Sequence, residues 1–185
     1  MKLAEFALSR RDPDYVPRAK ATQTLEAARA AGTVPPELQA VLAALHLPES
    51  ALARMHIGSV LFANKPGDGS AREQAASCQK VLGGFANICY QFATKRYRSN
   101  CINWGILPFT LDEGTPFDYE SGDCVFVPHI RQAVEQGRED IPAKVICQDG
   151  SVHDLLLHVK GLTADEKEIL LRGCLMNYYA ARNKE

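Results

Sequence analysis

The stretch Gly67-Asp68-Gly69-Ser70-Ala71-Arg72-Glu73 constrains this chain most. Before it runs an apolar segment, Ile57-Gly58-Ser59-Val60-Leu61-Phe62-Ala63-Asn64, which predicts a buried strand. After it, Gln74 to Leu82 predicts a helix. The glycines therefore stand at a strand-to-helix turn, where they let the backbone bend sharply and approach a ligand closely. Ser70 is a good N-cap residue, and Glu73 three places on completes a capping box. Exposed N–H groups at the front of a helix favour an anion. Arg72 adds a fork able to hold a carboxylate with two hydrogen bonds. The plainer alternative is a capped helix with Arg72 in solvent. The stretch lacks the Gly-Lys-Ser/Thr ending of a P-loop and the third glycine of a dinucleotide fingerprint.

With 185 residues, 46% of them apolar, the chain is long enough for one good core and an extra lobe. Its net charge of -1 gives no basic footprint for nucleic acid or an anionic membrane surface. No apolar run is long enough to span a bilayer, and the first residues lack the apolar core of a signal peptide. The six cysteines, at 78, 89, 101, 124, 147 and 174, include no Cys-x-x-Cys pair. A self-contained zinc or iron–sulfur site is not expected from them. They read instead as small hydrophobes of a reducing, cytoplasmic environment without disulfides. His153 and His158, five apart in an expected strand, would point to opposite faces and make poor metal ligands.

Residues 1 to 56 read as a helical lobe or linker, and 57 to 185 as the main domain. Asp12-Pro13-Asp14 and Val16-Pro17 predict an irregular start. Thr22 to Ala31 predicts a helix, and Pro35-Pro36 opens a second with Leu38, Val41, Leu42 and Leu45 on one stripe. Glu49 to Met55 predicts a short turn. Beyond residue 57, strand-like and helix-like segments alternate. Expected strands are Phe85–Tyr90, Asp123–Val127, Ala143–Cys147 and Asp154–Val159, with a short extended piece at Ile106–Phe109. The last two strands flank the hairpin signal Asp149-Gly150. Expected helices are Thr94–Asn103, His129–Gln136, one after Thr163, and Leu175–Ala181. Such alternation implies an α/β layered core.

Three further stretches combine with the central turn. They are Leu82-Gly83-Gly84, Lys95-Arg96-Tyr97-Arg98-Ser99-Asn100-Cys101-Ile102-Asn103-Trp104-Gly105-Ile106-Leu107-Pro108-Phe109, and Gly173-Cys174-Leu175-Met176-Asn177-Tyr178. Together they resemble the C-terminal swivelling domain of the aconitase family of hydro-lyases. That pattern is Gly-x-Gly-Ser-x-Arg-Glu, a Gly, an Arg/Glu-Ser/Thr-Asn stretch leading to Gly-x-Leu-Pro, and a closing Gly-x-x-x-Asn-Tyr. The resemblance covers roughly residues 57 to 180.

It implies a three-layer β/β/α swivelling domain, here with a small helical N-terminal lobe. It also implies cluster-bearing catalytic domains or a large subunit as partner, holding a 4Fe–4S cluster on three cysteines, with no cofactor on this chain. The reaction implied is reversible dehydration of a hydroxy di- or tricarboxylic acid, with the chain inactive alone. Carried over, Ser70 is the base that takes the proton alpha to a carboxylate, and Arg72 binds a substrate carboxylate. Gly67, Gly69 and the Ala71 amide shape the anion turn, and Arg98 is a further anion contact. The alternative for Arg98, Ser99 and Asn100 is that they fix a turn beneath the site. Trp104 and Asn103 read as structural.

Three departures stand out. Ala71 replaces a second serine, and Gln74 replaces a frequent His. The Thr-Thr-Asp-type strand and a following Arg segment are missing from residues 1 to 56. The resemblance therefore fits a domain cut from a larger hydratase better than a stand-alone subunit. A non-catalytic module with the same fold, binding a carboxylate or a partner protein, is the competing reading. An RNA-binding relative fits the near-neutral charge less well.

Overall fold

A computed structural model describes residues 2–10 and 12–183. Six strands make one sheet in the order β1-β2-β3-β6-β5-β4. β1 (Ser59–Phe62), β2 (Gly84–Cys89) and β3 (Leu107–Thr110) run parallel. The crossovers between them are α4 (Arg72–Val81) and α5 (Lys95–Asn103). β4 (Cys124–Phe126), β5 (Asp140–Ile146) and β6 (Val152–His158) run antiparallel. The expected hairpin at Asp149-Gly150 joins β5 to β6, with Gly150 at φ +85°.

A single residue pair, Thr110 with His158, joins the two three-stranded halves. The sheet curls there, and both halves share one core: Ile88 and Phe109 from the parallel half, Ile141, Val145, Leu155 and Leu157 from the antiparallel half. The alternation of buried and exposed residues along β5 points its apolar set into that core. On the other face of the parallel half, α4 and α5 bury Ala76, Tyr97, Cys101 and Ile106. The result is a helix layer over a parallel half-sheet over an antiparallel one, the layering expected of a swivelling domain.

His158 and His153 do lie on opposite faces, one buried and one exposed. His158 sits at the junction with Nδ1 2.8 Å from Asp140 and Nε2 3.2 Å from Asp112. Beyond β6, α7 (Ala164–Arg172) opens with a full capping box between Thr163 and Glu166, and α8 (Leu175–Arg182) follows Gly173. α6 (Ile130–Gln136) ends at Gly137 in the left-handed region.

The first residues depart from expectation. α1 (Lys2–Ser9) occupies a stretch given no element, and α2 (Tyr15–Ala30) starts seven residues before the expected helix. Pro17 does not break α2 because it falls in the first turn, where a backbone N–H has no helical acceptor to lose. α3 (Pro36–Ala44) and a 3-10 turn (Glu49–Arg54) follow as expected, with Leu38, Leu42 and Leu52 in a small core of their own. Ala4, Tyr15, Val16 and Ala19 pack on Cys78 and Leu82, so α1 and α2 lie directly against α4.

β5 begins three residues earlier than expected and includes Pro142. Pro142 pairs with Leu156 of β6, but β4 reaches only residues 144–146 of β5. The missing donor therefore lies on an unpaired edge. Leu157 is fully buried between the two halves. Leu157→Ala is expected to cost about 2–5 kcal/mol by urea unfolding. A cost below about 1 kcal/mol would contradict a core shared by both halves.

Candidate functional site

The loops after β1 and β2 lie side by side at the carboxyl ends of their strands, where open α/β sheets bind ligands. Backbone bonds join them: Tyr90 N–H to Asn64 O (3.2 Å) and Ala93 N–H to Pro66 O (2.9 Å). The Gly67 carbonyl then accepts from two side chains, Arg72 Nε (3.1 Å) and Thr94 Oγ1 (3.2 Å). Thr94 also caps α5, accepting from the Tyr97 N–H at 3.2 Å. One carbonyl thus links the turn, the start of α4 and the start of α5. Gly67 has φ +93°, and a Cβ there would lie 2.5 Å from Tyr97. Only glycine fits, for conformation and for space. Gly69 has open space around it.

One local expectation fails. Ser70 is not the N-cap of α4 and makes no capping box with Glu73. The N-cap is Ala71, at φ -87° and ψ 52°, with no side-chain cap. The first-turn partner comes from α5 instead. With its amide oriented to suit its neighbours, Asn100 accepts from the Glu73 N–H (3.1 Å) and donates to the Arg96 carbonyl (3.2 Å). Glu73 turns its carboxylate outward to accept from Trp104 Nε1 at 2.5 Å. With α5 holding α4's first turn, the Ser70 hydroxyl is exposed and has no hydrogen-bond partner among the described residues. Ala71 is likewise exposed.

Arg72 is half-buried, and its Nε is spent on Gly67. Its two amino groups have no partner among the described residues, so a carboxylate can still meet its outer edge. Arg98 is committed elsewhere. It reaches Glu166 (3.3 Å) and the Lys160 carbonyl (2.9 Å), tying α5 to α7. Trp104 is partly buried against the α4–α5 core.

Beneath the turn lies a buried polar cluster that sequence reasoning did not single out. Asn87 Nδ2 donates to Tyr97 Oη (3.2 Å) and to Cys101 Sγ (3.3 Å). Burial pushes the Cys101 thiol up to about 11 and the Cys89 thiol up to about 12. Burial also raises the Tyr97 hydroxyl. These groups stay neutral and position α5 rather than titrate. A lone Asn in an apolar strand was the only signal available. Among the described residues, no three His, Cys, Asp or Glu side chains come together to hold a metal ion.

Comparison with known proteins follows the same stretch. The aconitase C-terminal domain family matches residues 52–114, which span the turn, α4, β2, α5 and β3. Over 122 residues the chain is 31% identical to aconitate hydratase A of Bradyrhizobium diazoefficiens, covering 64% of this chain and 13% of that protein. Over 122 residues it is 36% identical to the 3-isopropylmalate dehydratase small subunit of Metallosphaera sedula, covering 65% of each. The chain thus spans less than two thirds of the length of either relative. A solved 3-isopropylmalate dehydratase from Methanocaldococcus jannaschii is 26% identical, covering 82% of this chain and 81% of that one. Its TM-score is 0.45. The residues matched by the family are those that build the turn and its supports. The similarity of this chain is to the C-terminal domain of the aconitase family, over the residues that build the turn.

Two measurements check the site. Gly67→Ala is expected to destabilise the fold by at least about 1 kcal/mol and to shift the Tyr97 resonances, because both φ and space oppose a Cβ. Thiol labelling of the native chain at pH 8 is expected to reach exposed Cys124 and to spare Cys78, Cys89 and Cys101 until the chain unfolds. Native labelling of Cys101 would show the cluster to be open.

Proposed function

We propose that this chain is the C-terminal swivelling domain, or a small subunit, of an aconitase-like hydro-lyase. The reaction is reversible dehydration of a hydroxy di- or tricarboxylic acid. The observation that carries the reading is the doubly held Gly67 carbonyl. It fixes a turn in which an uncommitted serine and the free edge of an arginine flank the start of a helix.

In this reading the outer edge of Arg72 binds a substrate carboxylate and orients the adjacent C–H bond. Ser70 takes the proton alpha to that carboxylate. A serine hydroxyl is a poor base, so it acts as an alkoxide, stabilised by Arg72 and by the N–H groups at the front of α4. Gly67, Gly69 and the Ala71 amide leave the backbone open to the anion. Arg98 acts from beneath, by holding α5 against α7.

The 4Fe–4S cluster implied by the family belongs on cluster-bearing domains or on a large subunit, which this domain closes over. Held there, the cluster would supply Lewis-acid chemistry toward the substrate hydroxyl. The chain is inactive without that partner. The enzyme of this reading works in the cytoplasm. Among the described residues no helix is long and apolar enough to cross a membrane.

The test is anaerobic reconstitution with a cluster-bearing partner, followed by assay of hydroxy-acid dehydration. Ser70→Ala is expected to lower kcat on the order of a thousandfold while carboxylate binding persists. Unchanged turnover in Ser70→Ala would remove Ser70 as the base. Normal folding and carboxylate binding, without turnover alongside any partner, would favour a non-catalytic carboxylate- or partner-binding module.

A further inference from the structure

We infer that Arg96 is a second carboxylate contact of this site, selecting acids with two or more carboxylates over those with one. The inference rests on the proposed reading of the turn as a carboxylate site and adds a residue to it.

The register of α5 sets where Arg96 stands. Residues four apart on a helix share one face. Tyr97 and Cys101 form the face turned to Gly67 and Asn87. Asn100 and Trp104 form the neighbouring face, and both meet Glu73, one through its N–H and the other through its carboxylate. That second face therefore looks at the first turn of α4. Arg96 is the residue one turn before Asn100 on it, and its carbonyl accepts from the Asn100 amide. The start of α5 lies at the turn itself, where its cap Thr94 bonds the Gly67 carbonyl three residues before Ser70.

Arg96 is exposed and has neither a hydrogen bond nor an ion pair from its side chain among the described residues. Glu73, the nearest carboxylate on α4, is occupied by Trp104. Asp68, the acidic residue of the turn, is exposed and unpaired among the described residues. Lys95 lies off this face, and Arg98 is held by Glu166 and Lys160. Arg96 is thus the uncommitted fork on the face that meets α4. Arg72 reaches the turn from α4, and Arg96 stands on the first turn of α5. Two guanidinium groups on separate helices suit two carboxylates of one substrate better than a single one.

The probes are L-malate and L-lactate, a hydroxy diacid and a hydroxy monoacid, titrated into the full chain while the Gly69 and Ala71 amides are followed by NMR. Malate is expected to bind at least about tenfold tighter than lactate. Arg96→Gln is expected to lower that ratio about tenfold, and Arg96→Lys to lower it less, because lysine keeps the charge without the fork. Arg72→Gln is expected to weaken both acids. Trp104 fluorescence monitors folding of each variant.

An unchanged ratio in Arg96→Gln overturns the inference, as does an equal loss for both acids. Wild-type affinities that do not distinguish the two acids overturn it too. No effect of Arg72→Gln on either acid, or no response of the turn to either acid, overturns the carboxylate reading of the turn itself.

Discussion

The Gly67 carbonyl accepts from a side chain on each of two helices, and the rest of the site depends on that shared acceptor. Arg72 reaches it from α4 and Thr94 reaches it from the cap of α5. A buried or half-buried carbonyl left without a donor costs on the order of 1–3 kcal/mol, so the two bonds pull both helix starts to one point. Tyr97 fills the space under Gly67, which permits no side chain there. The turn, the two caps and the buried Asn87–Tyr97–Cys101 cluster are parts of one packed unit. The strands beneath it are two layers that share a core and touch along one ladder position, Thr110 with His158.

This construction separates support from chemistry. Asn100, Trp104, Arg98 and Thr94 are all occupied in holding helices to one another. Ser70 and the outer edge of Arg72 are left over. A serine that capped its own helix would have its oxygen engaged by a backbone N–H. Here α5 supplies a partner for the first turn of α4, and the hydroxyl stays free. The N-terminal helices add a further prop, since α1 and α2 pack against α4 through Cys78 and Leu82.

Much of the fold was legible because its signals are local. The glycine-rich turn, the Asp149-Gly150 hairpin, the Thr163 capping box and the apolar runs of β2, β5 and β6 each follow from backbone freedom or periodicity within a few residues. The start of α2 was not legible, because two prolines there mimic irregular chain; only the position of Pro17 in the first turn makes it compatible with a helix. The extra residues of β5 were hidden by Pro142, whose tolerance depends on how far the neighbouring β4 extends. The cap of α4 was misjudged for a similar reason. Ser70 and Glu73 have the right spacing for a capping box, and a contact from Asn100, far along the chain, displaces it.

By itself, the sequence determined the order of elements from β1 onward, the strand-to-helix turn at Gly67–Glu73 and the pattern of glycines, serine, arginine and asparagine. Those are properties of neighbouring residues, set by φ preferences, apolar period and spacing. The tertiary structure alone decided which polar groups are spent and which are free. Arg98 is spent on α7, Glu73 on Trp104 and Asn100 on the start of α4, while Ser70, Arg96 and the outer edge of Arg72 have no partner among the described residues. Each hydrogen-bonding group can satisfy few partners, and those partners lie tens of residues away. Their assignment therefore exists only once the helices are packed.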